Sequence, residues 1–131
     1  MLLSVERVRG ADLDRFFASR SGLMERRVVA MAKIARLVSL GSKLVAAGGL
    51  VRVDDGRLFL FFDVEDGAVS GAAHAKTFIR SALEMLNEAG EPVWTPCHAT
   101  KYPRAPKLVA LCGFKPTDEF IEDARVWLKL P

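Results

Sequence analysis

Residues 101–114 read KYPRAPKLVALCGF, and this stretch decides the fold. It is a short helix set between two brakes. Pro103 and Pro106 lie near its start, where the first backbone N–H groups have no intrahelical partner and proline costs little. Tyr102 precedes a proline, so it is pushed towards an extended conformation ahead of the helix. Leu108 and Leu111, joined by Cys112, supply an apolar face. Gly113 ends the helix as a left-handed C-terminal cap, and Phe114 returns the chain to the core.

Upstream, Pro92 to Ala99 reads as a strand, and before it comes the clearest helix of the chain. Ala75, Phe78, Ile79, Ala82, Leu83 and Leu86 recur at helical spacing on one face, while Lys76, Arg80, Glu84 and Asn87 take the other. Gly90 ends it. Small and polar residues from Glu65 to His74 join this helix to RLFLFFDV, Arg57 to Val64. That nearly continuous apolar run predicts a central strand covered on both faces. Asp54-Asp55-Gly56 is a turn signal. Lys43 to Val53 is the strand before it, with Gly48-Gly49 marking a bulge or a close approach. Ile34 to Leu40 reads either as a continuing helix or as a strand. Gly41-Ser42 between two apolar runs fits a two-residue type II′ hairpin and favours the strand. The three strands make an antiparallel meander.

At the front, Leu2 to Val8 alternates Leu3 and Val5 with Ser4 and Glu6, a short first strand broken at Gly10. Asp12 lies near the start of a helix with the stripe Leu13, Phe16, Phe17. A second helix is expected over Leu23 to about Met31, with Arg26 and Arg27 outside. At the far end, Arg125 to Leu130 alternates as a last strand. Trp94, Trp127, Phe59, Phe61, Phe62 and Phe78 read as core. No repeat, low-complexity segment or linker divides the chain, so residues 1–131 read as a single domain.

Half of the 131 residues are hydrophobic, which suits a packed core and argues against disorder. The net charge of +3 and pI of about 9.1 are mildly basic. They suit an anionic ligand. Scattered basic residues and a single tyrosine argue against nucleic acid. Cys97 and Cys112 share no metal-like spacing with His74 and His98. No metal is expected, and the thiols read as buried in a reducing cytoplasm. No apolar run approaches the roughly 18 residues that span a membrane. The opening MLLSVERVRG carries charges too early for a signal peptide. The expectation is a cytoplasmic protein.

The stretch at 101–114 resembles the last conserved segment of the GNAT superfamily of acyl-CoA-dependent N-acetyltransferases, whose pattern runs Asn-x-Arg-Ala-Ile-x-Leu-Tyr-x-x-x-Gly-Phe. Arg104, Ala105, Leu108, Gly113 and Phe114 match at the right spacing. Tyr102 stands at the Asn position, Pro106 at the Ile position and Val109 at the Tyr position, where the family often carries its general acid. The element order β, α, α, three strands, α, β, α, β resembles the GNAT fold over nearly the whole chain. The fold class so implied is α/β (α+β), a mixed, mostly antiparallel central sheet flanked by helices.

In that family a loop of pattern Arg/Gln-x-x-Gly-x-Gly/Ala joins the central strand to the long helix and holds the CoA pyrophosphate on backbone N–H groups. Ala68-Val-Ser-Gly-Ala-Ala73 fits the Gly and Gly/Ala positions, with Ala68 in place of Arg or Gln. The physics is general, because a helix N-terminus carries free donors and a partial positive charge, and small residues let a phosphate approach. The resemblance implies acetyl-CoA as cosubstrate, bound by Val64, Val69, Ser70, Gly71, Ala72, Ala73, Arg104 and Ala105, and an amine as acceptor. Backbone near Val64 and Glu65 would polarise the thioester carbonyl. Tyr102, His98 and Glu65 are the candidates for proton transfer in place of the missing tyrosine. The second reading is a non-catalytic GNAT-like binding or structural protein, of the sort found among compact bacteriophage-encoded relatives. A homodimer through sheet edges or the C-terminal strand fits either reading.

Overall fold

A computed structural model gives the architecture; it describes residues 3–17, 31–65, 71–100 and 102–131. Seven strands form one sheet in the order β1-β2-β3-β4-β5-β7-β6. They are β1 (Leu3–Val8), β2 (Ile34–Leu40), β3 (Lys43–Arg52), β4 (Leu58–Val64), β5 (Val93–Cys97), β6 (Lys115–Ile121) and β7 (Ala124–Lys129). A 3₁₀ turn, Gly10–Leu13, runs into α1 (Asp14–Phe17); α2 (Gly71–Ala89) and α3 (Ala105–Leu111) follow. Neighbouring strands are antiparallel except β4 with β5. This is the mixed, mostly antiparallel sheet flanked by helices that the sequence implies.

The meander forms as its turns require. Leu40 pairs with Lys43, leaving Gly41 and Ser42 as a two-residue loop. Gly41 alone of the two has positive φ, at 65°, as a type II′ turn demands. The strand reading of Ile34 to Leu40 therefore holds. The bulge lies between Val38 and Ser39, not at the glycines. Gly48 and Gly49 serve close approach instead. A Cβ on Gly48 would come within 2.5 Å of Phe62 Cδ2, and one on Gly49 within 2.6 Å of the Ile34 carbonyl oxygen.

The sheet is covered on both faces. On one, Leu13 and Phe16 are fully buried against Leu37, Ala47, Val51, Phe59 and Phe61. On the other, Ala82, Met85 and Leu86 of α2 pack with Cys112 and Phe114 over Leu50, Leu58, Leu60 and Val93. Burying each large side chain contributes about 1.5–3 kcal/mol, so these layers carry most of the fold's stability.

Four expectations change. The inward face of α2 is turned slightly from the expected stripe: Met85 and Ser81 are buried, while Leu83 is 40% exposed. On α3, Val109 and Cys112 face inward, and Leu108 and Leu111 are exposed. The reason is the cap. Gly113 (φ 93°) donates to the Ala110 oxygen and Phe114 to the Val109 oxygen, a Schellman pair that draws Cys112 and Phe114 into the core. Val109, one turn before Cys112, then shares its face by helical spacing, and Leu111 does not. Strand β6 went unforeseen, because KPTDEFI is exposed along almost its whole length as the sheet's edge. The expected last strand begins one residue earlier, at Ala124. The second helix expected over Leu23 to about Met31 lies, apart from Met31, outside the described residues.

Candidate functional site

The parallel pair is short. Leu58 pairs with Val93 and Phe59 with Trp94; beyond them β4 continues to Val64 and β5 to Cys97 with no further register. A slot opens between the carboxyl ends of the two strands. Parallel neighbours need a crossover, and α2 provides it. Crevices outside the carboxyl ends of such strands are where open α/β sheets bind ligands.

Two hydrogen bonds fix what faces the slot. Glu65 N–H donates to the Val45 oxygen at 2.8 Å, and Val53 N–H to the Arg57 oxygen at 2.9 Å. The odd-numbered residues of β4 therefore turn their backbone towards β3, and the even-numbered ones towards β5. Phe62 and Val64 present their N–H groups to the slot. Of Val64 and Glu65, the residues expected to polarise a carbonyl, Val64 is the one with its N–H on that side. The Phe62 side chain meets Phe78 of α2 edge-on, with ring centroids 5.1 Å apart.

Helix α2 starts soon after β4 and α3 soon after β5, so both N-termini lie beyond the same edge of the sheet. Gly71 and Ala72 are the first residues of α2, and Ala73 is exposed in its first turn. Ala68, Val69 and Ser70 lie outside the described residues. His74 is half-buried. Arg104 is the exposed N-cap residue of α3, and its carbonyl accepts the Leu108 N–H. Ala105 opens the helix, with Pro106 behind it in the first turn.

His98 and Tyr102 are brought together. The Tyr102 N–H donates to the His98 oxygen at 2.8 Å, closing one turn between β5 and α3. The His98 side chain is largely buried, with Nδ1 3.6 Å from Asp123 Oδ1 of the β6–β7 turn. Glu65 sits on the other wall, its Oε2 3.3 Å from Lys43 Nζ. Val109, at the position where the family's tyrosine stands, is packed against the α2–α3 core. Asp123 and the residues Thr95-Pro96 were not singled out from sequence, although a proline inside a strand is itself a signal.

Burial pushes both thiols up, for Cys112 against the opposing pull of Lys129, so neither is a ready nucleophile. Among the described residues no three His, Cys, Asp or Glu side chains gather as a metal site requires. No helix among them is long and apolar enough to cross a membrane.

No family model matches the chain, and no curated protein matches it by sequence. Solved structures match its shape from end to end. An IAA acetyltransferase from Bacillus cereus superposes with a TM-score of 0.70 at 14% identity, over 99% of this chain and 100% of that one. The GNAT domain of S. lividans PAT gives 0.68 at 12% identity, over 97% and 89%. The chain has the GNAT fold. A third match is the aminoglycoside acetyltransferase AAC(6')-Ib in complex with coenzyme A and kanamycin, at TM-score 0.64 and 10% identity over 98% and 95% of the two chains. The resemblance first carried by Arg104, Ala105, Gly113 and Phe114 is met by the architecture as a whole.

Proposed function

We propose that this chain is an acyl-CoA-dependent N-acetyltransferase that moves an acetyl group from acetyl-CoA to an amine. The observation that carries the reading is the slot itself. Two parallel strands part after two residue pairs, the Phe62 and Val64 N–H groups face the gap, and a 19-residue helix begins with small residues just beyond it. An extended pantetheine arm fits such a gap by adding hydrogen bonds to an unpaired strand edge. Fold likeness to structures that hold coenzyme A or acetyl-CoA supports the choice of cosubstrate.

In this reading the pyrophosphate takes the backbone donors of residues 69–73 and the positive end of α2. Arg104 and Ala105, at the head of α3, flank the CoA as the family pattern implies. The thioester carbonyl accepts the Val64 N–H, which stabilises the charge that develops on its oxygen. A neutral amine attacks the carbonyl carbon, the C–N bond forms and the C–S bond breaks. His98, whose Nδ1 lies 3.6 Å from Asp123 Oδ1, takes the amine proton. Tyr102, beside it, supplies a proton to the departing thiolate. Glu65, paired with Lys43, is the second candidate for the base. Much of the acceleration comes from holding amine and thioester in contact, so loss of the usual tyrosine lowers the rate without abolishing it.

A non-catalytic GNAT-fold protein is the second reading. Val109 at the tyrosine position of the family pattern and Ala68 at its Arg/Gln position favour it. Calorimetric titration with acetyl-CoA separates the two, with Gly71→Glu as control. Micromolar binding lost in the control, with thiol release when amines are added, is the expected result. A folded protein that binds nothing up to millimolar acetyl-CoA overturns the proposal.

A further inference from the structure

The parting of β4 and β5 has a local cause. Where the strands are paired, β5 residues with even numbers turn their backbone towards β4, since the alternation of β4 and the pairs Leu58–Val93 and Phe59–Trp94 leave no other arrangement. The next bond of that ladder runs from the N–H of residue 96 to the oxygen of Leu60. Residue 96 is proline and has no N–H. On its other side β5 loses nothing, because its pairing with β7 continues through Pro96–Val126 to Cys97–Arg125. The Leu60 oxygen is not left empty. The hydroxyl of Thr95, a residue that is 6% exposed, donates to it at 2.9 Å.

We propose that Pro96 and Thr95 together are the positioning device that opens the slot: Pro96 ends the parallel ladder, and Thr95 occupies the carbonyl the ladder would have used. Proline inside a sheet is otherwise confined to edges and bulges. Here it makes an internal edge within a seven-stranded sheet. The hydroxyl prevents the buried Leu60 oxygen from losing its partner, a loss that would favour closure or water entry. The device keeps the Phe62 and Val64 N–H groups unpaired by β5. Its use in seating acetyl-CoA rests on the proposed function, whereas its effect on the strands does not.

The test uses Pro96→Ala, Thr95→Val and Thr95→Ser in the full chain. Amide hydrogen exchange is read first, without ligand. Pro96→Ala creates a backbone amide at position 96, which is expected to exchange as slowly as that of Trp94, with the Phe62 amide slowed as well. Fast exchange of the created amide overturns the device. Titration with acetyl-CoA follows. Pro96→Ala and Thr95→Val are expected to weaken binding about tenfold at unchanged cooperativity of unfolding, and Thr95→Ser to bind like the natural protein. Equal binding by all four proteins overturns the positioning role. If the natural protein binds no acetyl-CoA, the proposed function falls, and exchange at position 96 still decides whether proline opens the sheet.

Discussion

Glu88, in the last turn of α2, binds Arg36 of β2, whose Nη2 donates to Glu88 Oε2 at 3.2 Å. Arg36 is 3% exposed, and Arg7 lies directly opposite it on β1. Arg7 donates to the same carboxylate oxygen at 2.8 Å. One carboxylate thus separates two like charges and ties the long helix to the outer pair of strands. Removing it leaves a buried guanidinium facing another. Glu88→Gln is expected to cost about 1–2 kcal/mol in urea unfolding, because Arg36 is buried while the carboxylate is half in solvent. Adding Arg36→Met should recover most of that loss, because the buried charge goes with it. A single variant as stable as the natural protein would show that solvent reaches Arg36.

The two adjacent glycines of β3 predict a contrast. An alanine at 48 meets the Phe62 ring, and one at 49 meets the Ile34 backbone oxygen. Both substitutions are expected to destabilise by about 1–3 kcal/mol. Phe62→Ala should relieve the closest contact of Gly48→Ala, since it removes the Cδ2 that the new Cβ meets. No side-chain change should relieve Gly49→Ala, where the obstacle is main chain. Thermal melts of each alanine variant, with and without Phe62→Ala, read the difference.

The acid limb of stability follows from two clamps. Arg57 N–H and then its guanidinium hold the Asp55 carboxyl below its ordinary 3.8. A hydrogen bond from Arg52 holds Glu91 below 4.5, with charge attraction adding to it. Arg57 also grips Glu119 of β6 at 2.8 and 3.0 Å, over the rings of Phe59 and Trp94. A carboxylate whose folded pKa is depressed adds stability above its unfolded value and loses it as pH falls through the folded one. The melting temperature should therefore hold down to about pH 4.5 and fall below it. Arg52→Met with Arg57→Met should give a lower and flatter acid limb. Identical slopes for both proteins would exclude these clamps as the cause.

Neither cysteine should react in the native state. Cys97 is 5% and Cys112 7% exposed, and burial disfavours both thiolates. Iodoacetamide at pH 8 is expected to label neither within an hour, and both once urea unfolds the chain. Rapid labelling of the folded protein at Cys112 would mean that α3 lifts from the sheet.

The strongest elements were legible because one physical pattern dominates each. Leu58 to Phe62 is apolar on both faces because helices cover both faces, and α2 is periodic because it lies along one. The edge strand β6 has no such pattern, since Phe120 and Ile121 stay exposed and Pro116 interrupts it. On α3 the apolar residues outnumber the inward positions, so hydrophobicity alone selected Leu108 and Leu111, and the Gly113 cap selected Val109 and Cys112. That Asp123 reaches His98 from a distant hairpin depends on pairing between β5 and β7. No local signal encodes that.

The two-pair joint between β4 and β5 also bears on how the molecule assembles. β1 to β4 are consecutive neighbours in the sheet, and β6 and β7 form a hairpin joined to β5. Each half can zip up largely from neighbours, the second with a longer loop to close. The halves then meet across a seam with little backbone pairing, held mainly by side chains under α2. Such a seam, with few backbone hydrogen bonds across it, belongs to the low-stability end of the native structure. The same weakness that costs the sheet cohesion gives a guest molecule its way in.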